Sequence, residues 1–394
     1  MTAASRPAIR LQEGHHKRAL GGHPWLYSNE IAMDSAAKAL PPGTLVAIHA
    51  ADGRPVGTAT FNPHTLIAAR VLDSDPTKAI DARFFAERFA RAAALRARVI
   101  GAPFHRLVHA EADGLGGLVI DRYGDSLAVQ VTTAGMNRLI EPILAGLDAV
   151  LAPGAVALSR APAHEAEGLE AGTAIVKGTL DGPVGVEEGP VRGLADLAHG
   201  QKTGWFYDQR DNRAFMARLA QGARCLDAYC YTGAFGLHLA AGGAAEVVGI
   251  DRSADALALA ARAAEAAGAP CRFVRAEVFG ELERLTAVNA RFDVVIADPP
   301  AFVKSRKDLA VGLKAYRKLA RLAASLVSPG GFLFIASCSH NVDDTAFAAE
   351  VARGLSRAGR MGRLLRRAGA GPDHPVHPLL PESAYLKAQA FQLD

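Results

Sequence analysis

The sequence predicts an α/β protein: a doubly wound, mostly parallel sheet in the C-terminal half, preceded by a small β domain and a central β-rich α+β domain. Three observations carry this reading. From about residue 195 the chain alternates apolar strand-like runs (near 225, 247, 273, 294 and 334) with helical runs (near 237, 256, 281, 318 and 348). That rhythm belongs to a sheet covered on both faces. The run Leu226-Asp227-Ala228-Tyr229-Cys230-Tyr231-Thr232-Gly233-Ala234-Phe235-Gly236 joins a strand to the helix-like Leu237-His238-Leu239-Ala240-Ala241 through a short turn. The following strand, Glu246 to Ile250, ends in Asp251. Strand, turn, helix, strand, acid is how such a sheet grips a nucleoside, with the acid accepting both ribose hydroxyls.

Residues 1–75 read as the small β domain, with strands at Ala8–Gln12, Thr44–Ala50, Pro55–Phe61 and Leu66–Leu72 between Gly and Pro clusters. Phe84, Phe85, Phe89, Leu95 and Val99 recur at helical spacing, so a helix over about 80–100 opens the central domain, residues 76–190. Strands return at Leu118–Asp121, Leu127–Thr132 and Ala174–Val176, with a turn over Asp121-Arg122-Tyr123-Gly124-Asp125. Residues 191–394 form the doubly wound domain, and Leu364–Arg367 and Lys387–Phe391 are expected as edge strands.

A chain of 394 residues is long enough for two or three domains with real cores. Its 50% hydrophobic and 21% charged residues are ordinary for a globular protein. No apolar run approaches the roughly 20 residues of a membrane span, and the N-terminal Met1–Pro7 lacks the apolar core of a signal peptide. The expectation is a soluble, cytoplasmic protein without a membrane partner. Cys225, Cys230, Cys271 and Cys338 form no Cys-x-x-Cys pair, so neither a zinc site nor a disulfide framework is expected. The net charge of +4 permits nucleic-acid binding without requiring it.

The turn after Asp227 is not the Gly-x-Gly-x-x-Gly of a dinucleotide fold, since only Gly233 and Gly236 are suitably placed. A carboxylate just before the turn suits a cationic ligand. S-adenosylmethionine, with its amino group and sulfonium, fits better than NAD. Ligands of such sheets sit at the carboxyl ends of the strands, and those ends carry Asp227, Asp251, Glu277, Asp298 and Cys338. Asp227 is placed for the amino-acid part of the cofactor, Asp251 for its ribose and Glu277 for its adenine amino group. The competing reading is a solvated acidic rim, which is less apt for three acids at successive strand ends.

Asp298-Pro299-Pro300-Ala301-Phe302 makes a stiff loop, because two prolines fix φ and remove two donors. A carboxylate and an aromatic on such a loop suit a planar base. Ser337-Cys338-Ser339 ends the next strand and opens onto the same crevice. A lone strand-end cysteine is commonly a small buried hydrophobe. Methylating C5 of a pyrimidine, however, needs a thiolate at C6 and an acid near N3, which Cys338 and Asp298 supply. Upstream, Gln201-Lys202-Thr203-Gly204-Trp205-Phe206-Tyr207-Asp208-Gln209-Arg210-Asp211-Asn212-Arg213 mixes aromatic, basic and amide groups, apt for covering a cofactor or clamping RNA, although composition alone slightly favours an amphipathic linker with solvated charges. Lys304-Ser305-Arg306-Lys307 follows the base loop and is placed to contact phosphate, although a charge run is usually a solvated face.

Together these residues resemble the bacterial large-subunit (23S) ribosomal RNA cytosine-C5 methyltransferase family, over nearly the whole chain. His23-Pro24-Trp25-Leu26-Tyr27 resembles part of a PUA domain, a small RNA-binding β barrel. Glu111-Ala112-Asp113-Gly114-Leu115-Gly116-Gly117 to Tyr123 resembles the family's central domain. Lys202-Thr203-Gly204, Asp208-Gln209-Arg210, Tyr231-Thr232-Gly233, Asp298-Pro299-Pro300, Ser337-Cys338-Ser339 and Asp373-His374-Pro375 match its methyltransferase motifs. Glu277 stands where such proteins commonly carry Asp. The resemblance implies a Rossmann-like class I methyltransferase domain. It implies a cofactor site of Asp227, Tyr229, Gly233, Asp251 and Glu277, with Asp208 and Arg210 close by. It also implies Cys338 as nucleophile; Pro299, Pro300, Phe302, Lys304 and Lys202 are expected against RNA from the loop and basic segments read above. It suggests 23S rRNA or the assembling large subunit as partner, and a homodimer. The rivals are N-methylation of a purine, a nicotinamide-dependent oxidoreductase, and a non-catalytic RNA-binding assembly factor.

Overall fold

The computed structural model describes residues 6–200 and 203–394. Gln201 and Lys202, the latter expected against RNA, lie outside the described residues. The chain divides into two compact units. One holds residues up to Gly182 with Leu197–Gly204 and Pro372–Ser383, and the other holds Pro183–Asp196, Trp205–Gly371 and Ala384–Asp394.

In the first unit, β1 (Ala8–Arg10), β2 (Trp25–Tyr27), β3 (Thr44–His49), β4 (Pro55–Phe61) and β5 (Ile67–Asp73) form a sheet in the order β1-β3-β4-β5-β2. Short helices α1 (His16–Leu20) and α2 (Ser35–Lys38) fill two of its connections. Past β2 the chain returns to β1: Gln12 N donates to Glu30 O at 2.8 Å, and Ala32 N to Arg10 O at 2.8 Å. Those bonds and the Leu11–Ile31 bridge join the two edges, so the small sheet closes on itself and leaves little open edge.

The helix expected over 80–100 is α3 (Ala82–Val99), capped by Asp81, whose carboxylate accepts from Phe84 N at 2.9 Å. It buries Phe84, Phe85 and Phe89 beside α5 (Ile140–Leu151), which α4 (Ala134–Arg138) precedes. These helices cover a sheet of β6 (Phe104–His109), β7 (Leu118–Tyr123), β8 (Ser126–Val131), β9 (Ala155–Arg160) and β10 (Gly172–Lys177). The sequence reading lacked β2, β6, β9, α4 and α5. A buried ion network binds distant segments of this unit. Arg96, fully buried, makes two bonds to Asp113 (2.6 and 2.8 Å) and one to Asp373 O (2.9 Å). Arg106 N donates to Asp373 Oδ2 at 3.0 Å. These bonds hold residues 372–383 in the first unit, so Asp373-His374-Pro375, read above among the methyltransferase motifs, packs with the β-rich region.

The second unit opens with a hairpin, β11 (Val184–Glu188) and β12 (Val191–Ala195), which starts before the boundary expected at residue 190 and lies wholly in this unit. After α6 (Arg210–Ala217) come β13 (Arg224–Ala228), α7 (Ala234–Ala241), β14 (Glu246–Asp251), α8 (Ala254–Ala266), β15 (Cys271–Arg275), α9 (Val278–Ala287) and β16 (Phe292–Ala297). The chain ends with α10 (Leu309–Leu326), β17 (Val327–Ser337), α11 (Asp344–Arg357), β18 (Gly362–Ala368) and β19 (Lys387–Leu393). The strand order is β15-β14-β13-β16-β17-β19-β18. The pairings from β15 to β17 are parallel, and β19 runs antiparallel to both neighbours. Order reverses at β13, between β14 and β16, which is the switch point where such sheets open a crevice. The edge-strand expectation for Lys387–Phe391 is corrected: β19 lies inside the sheet, bonded to β17 and β18, and of the two expected edge strands β18 alone lies at an edge. Lys387 and Gln389 disguised it, because polar residues in a short run signal exposure, yet both are buried here.

One buried pair anchors the hairpin. Glu188 accepts from Arg213 Nε and Nη2 (2.7 Å each), from Trp205 Nε1 (3.2 Å), and lies 3.2 Å from His238 Nε2. Burial pushes the Glu188 carboxyl up, but Arg213, His238 and Arg210 outweigh it and hold the group at about 2. The folded value is depressed, so the stabilisation is complete above the ordinary value of 4.5 and is lost as pH falls towards 2. Glu188→Gln strands the buried Arg213 charge and is expected to cost about 3–5 kcal/mol, read by urea denaturation at pH 7. An unchanged midpoint would show the pair to be dispensable.

Candidate active site

The strand ends β13, β14, β15, β16 and β17 bring together most residues expected to carry chemistry. Asp227, in the last turn of pleat on β13, is 1% exposed. Its Oδ2 accepts from Gly236 N at 2.9 Å, in the first turn of α7, while its buried Oδ1 has no partner among the described residues. Burial, reinforced by the neighbouring carboxylates of Asp298 and Asp251, pushes Asp227 up to about 7 even though Gly236 N opposes the shift. A buried carboxylate with one open oxygen is a receptor for a cationic donor.

The turn after β13 is bent by its backbone. Tyr229 and Tyr231 have φ of 65° and 49°, which side-chain-bearing residues rarely adopt, and Gly233 has φ of 77° at the N-terminus of α7. Asp251 holds the bend open: Oδ2 accepts from Tyr231 N (3.0 Å) and Oδ1 from Ser253 N (2.9 Å). Both carboxylate oxygens are thereby oriented, and each keeps a lone pair for a further donor. The Tyr229 hydroxyl is raised well above its usual range by burial and then by Glu277 and Asp251, so it stands near both carboxylates. Glu277 caps α9, Oε2 accepting from Gly280 N at 2.8 Å, and is otherwise exposed. An acidic N-cap of this kind has one oxygen left for a ligand donor.

Asp298 follows β16, and its backbone N donates to Ala228 O at 3.4 Å, which ties the base loop to the cofactor turn. Pro299 is buried and Pro300 exposed. The ring of Phe302 is packed by Tyr316 (4.8 Å between centroids), Phe279 (5.8 Å) and Tyr229 (6.3 Å), so it anchors this loop to the core. Lys304 is exposed, and its carbonyl accepts from Asn341 Nδ2 at 3.3 Å. Cys338, just past β17, is half-buried with Sγ 3.9 Å from Pro299 O. The structure therefore sets the thiol against the loop of Asp298. Burial pushes Cys225 up to about 12, Cys271 up to about 11 and Cys230 well above the ordinary thiol range, so those three behave as small apolar residues.

Asp208 and Arg210 occupy different places. Asp208 Oδ2 accepts from Tyr385 OH at 2.6 Å, and its buried Oδ1 has no partner among the described residues. Arg210 lies 3.8 Å from Glu188 and its guanidinium sits over Tyr207. Arg213, three residues on, is the cation that senses Asp208, Asp298 and Asp227 together.

Several residues that shape the site went unread in the sequence. Tyr316, inside α10, joins the loops of Asp298 and Cys338: its hydroxyl meets Ser337 Oγ and Ser339 Oγ at 2.8 Å each and receives Phe302 N at 3.5 Å. Nothing in its local pattern distinguishes it from a core aromatic. Lys387, a lone cation in an apolar run, was the better clue. Its buried ammonium donates to Ser339 O (2.6 Å) and Tyr385 O (2.7 Å), fixing the backbone next to Cys338. Burial lowers its pKa, and Cys338, Asp344 and Asp343 oppose that shift. Tyr316→Phe leaves two buried serine hydroxyls without their shared partner. It is expected to cost about 2 kcal/mol, or roughly 5 °C in melting temperature, and to lower turnover; a melting curve superimposable on wild type would refute the tie.

No cluster of metal-binding side chains occurs among the described residues. The crevice fits S-adenosylmethionine on its own evidence, since a buried carboxylate oxygen of Asp227 has no hydrogen-bond partner among the described residues and a glycine-bearing turn of unusual backbone lies beside the oriented Asp251.

Residues 9–74 match the PUA-like domain family, and residues 175–389 match the S-adenosylmethionine-dependent methyltransferase family. Over 389 residues the chain is 36% identical to the ribosomal RNA large subunit methyltransferase I of Aeromonas hydrophila, covering 96% of this chain and 98% of that one. The protein of the same name from Shewanella denitrificans is 35% identical over 390 residues, covering 96% and 97%. Among solved structures, one from Streptococcus mutans described as a SAM-dependent methyltransferase matches with a TM-score of 0.82 at 20% identity, covering 98% of this chain and 100% of that one. A methyltransferase complexed with SAH matches at 0.82 and 20%, covering 99% and 100%. At that identity the likeness is one of fold. The sequence kinship runs through both the small β domain and the sheet that carries the crevice, and the chain belongs to the S-adenosylmethionine-dependent methyltransferase family, among the ribosomal RNA large subunit methyltransferase I proteins.

Proposed function

We propose that this methyltransferase acts on ribosomal RNA of the large subunit, methylating C5 of a cytidine in 23S rRNA, free or in an assembling particle. The observation that carries the C5 reading is the Cys338 thiol, 3.9 Å from Pro299 O and beside Asp298. The relatives' name supports the RNA target. N-methylation of a purine would need no cysteine at this place.

In this reading Asp227 receives the cofactor's amino group, Asp251 its ribose and Glu277 its adenine edge, with Tyr229 and Gly233 shaping the turn and Asp208 and Arg210 flanking it. S-adenosylmethionine, when bound, supplies an electrophilic methyl group. Cys338 adds as thiolate to C6 of the base, forming an S–C6 bond and giving C5 the electron density to take the methyl. Asp298, as a carboxylic acid, donates a proton toward N3, neutralises the negative charge that addition creates, and takes the proton back when the thiolate leaves. A base, for which water held by Asp298 is one option, then takes the C5 proton, and its electron pair forms the C5–C6 double bond as the S–C6 bond breaks and returns the thiolate. Pro299, Pro300 and Phe302 keep the base loop stiff, while Lys304 and Lys202 contact phosphate. The target base has to leave its stack to reach such a crevice. Residues 1–75 supply RNA affinity, 76–190 connect, and 191–394 carry the chemistry, in the cytoplasm.

Among the described residues no helix is long and apolar enough to cross a membrane. The test is methylation of unmodified 23S rRNA with labelled S-adenosylmethionine, followed by nucleoside digestion and mass spectrometry. Label in 5-methylcytidine is the expected result. Label in a methylated purine would overturn the C5 reading and leave Cys338 a packing role.

A further inference from the structure

The surface of α10 carries Lys314, Arg317, Lys318 and Arg321, spaced so that all four share one side of the helix. The opposite side buries Tyr316, Leu319, Ala320 and Ala323. Arg357, in the last turn of α11, joins the four, and together they line an open groove of about 370 Å³. Gly354 brings the two helices into such close contact: a Cβ there would lie 2.5 Å from Ala320 Cβ and 2.8 Å from Arg317 O.

The groove is short of counter-charge. Glu350 takes Arg317 and Arg353, each at 2.5 Å, and Glu283 takes Lys318 at 2.8 Å. Lys314, Arg321 and Arg357 have no ion pair among the described residues. Like charges three and four residues apart on a helix cost about 0.2–0.5 kcal/mol per pair, so this stripe is unfavourable in isolation and relieved by a polyanion. It is also continuous with the chemistry. α10 starts where the segment Lys304–Lys307 ends, directly after the Asp298-Pro299-Pro300 loop. From Arg306 to Arg321 the rise is roughly 20 Å at 1.5 Å per residue, a length that spans several phosphates of one strand.

We propose that the α10–α11 groove is an RNA-backbone site, holding phosphates of the strand that flanks the target nucleotide. It rests on the reading that the substrate is RNA, and adds to it a second contact that no base-recognition residue supplies. The binding is electrostatic and indifferent to sequence, so it sets affinity and leaves the choice of nucleotide to the crevice.

The test uses the full chain and a fluorescein-labelled 30-nucleotide single-stranded RNA, titrated from 50 to 300 mM KCl, with the triple variant Lys314→Gln, Arg321→Gln and Arg357→Gln. Three lost phosphate contacts are expected to flatten the slope of log K against log salt by about 2 and to weaken binding about tenfold to a hundredfold at 100 mM. Binding of S-adenosylhomocysteine and the melting temperature serve as folding controls and are expected to stay at wild-type values. On 23S rRNA the variant is expected to raise KM with little change in kcat. An unchanged slope and KM would overturn the inference, even if the wild type makes 5-methylcytidine. So would a variant that keeps RNA binding but loses binding to polyglutamate, which would assign the groove to an acidic protein. A lost slope alongside methylation of a different nucleoside would uphold the groove and sink only the C5 reading.

Discussion

Cys338→Ala is expected to reduce methyl transfer by roughly a thousandfold or more while leaving cofactor binding intact. The size follows from the chemistry. Without a sulfur to add at C6, C5 of a pyrimidine keeps its aromatic electron distribution and is a poor acceptor for an electrophilic methyl. The selectivity follows from the structure. Cys338 contacts the Pro299 carbonyl of the base loop, whereas the acids read as cofactor ligands sit on β13, β14 and the cap of α9. Labelled-methyl incorporation and calorimetric titration with S-adenosylhomocysteine check the two halves separately. Full turnover by the alanine variant would end the thiolate mechanism. Cys338→Ser makes a useful companion, because it preserves the shape but not the nucleophilicity.

Asp227→Asn is expected to weaken S-adenosylhomocysteine binding about tenfold to a hundredfold, the worth of one buried charge-assisted hydrogen bond. The pH dependence is the sharper test. Burial raises Asp227 from 3.8 in the unfolded chain to about 7 in the folded one. The folded apo protein therefore binds the extra proton between those values. Its contribution to stability is complete below the unfolded value and is lost as pH rises through about 7. A cofactor ammonium favours the ionised carboxyl, so binding near pH 6 is expected to release a proton, and binding at pH 9 to release none from this group. Titrations in buffers of different ionisation enthalpy read that proton directly. Asp227→Asn is expected to abolish the release and, at pH 8, to raise the melting temperature of the cofactor-free protein while it weakens binding. Equal proton release in both proteins would place the cofactor's amino group elsewhere.

Much of the second unit was legible because its signals are local. Asp227, Asp251, Asp298 and Cys338 each follow an apolar run, and parallel strands place their carboxyl ends along one edge of the sheet whatever the strand order. The turn at Tyr229 to Gly236 was readable for the same reason. Where pairing is non-local, reading failed. β19 enters between β17 and β18 from the end of the chain, and its buried Lys387 and Gln389 gave it the look of an edge. Residues 372–383 follow β18 in sequence, yet Arg96 and Arg106 bind Asp373 into the first unit. No period or spacing announces hydrogen bonds of such separation, 277 positions from the Arg96 guanidinium to the Asp373 carbonyl and 267 from Arg106 N to the Asp373 carboxylate.

The candidate site divides the same way. The groups proposed to react were nameable from residue type and place at strand ends, but the residues that support them were not. Tyr316 reads as an ordinary core aromatic until its hydroxyl is found between Ser337 and Ser339, and Glu188 reads as a surface acid until Arg213 buries it. Phe302, expected to face a base, is engaged by three aromatic neighbours that lie far from it in sequence or on other elements. By itself, then, the sequence determined the alternation of strand and helix, the strand-end acids and the strand-end position of Cys338, because periodicity and turn composition act within a few residues. Tertiary structure alone decided which carboxyl is pushed up by burial, which loops touch the thiol and which cations share a groove, because desolvation and ion pairing depend on what the fold brings near, not on what the chain puts next.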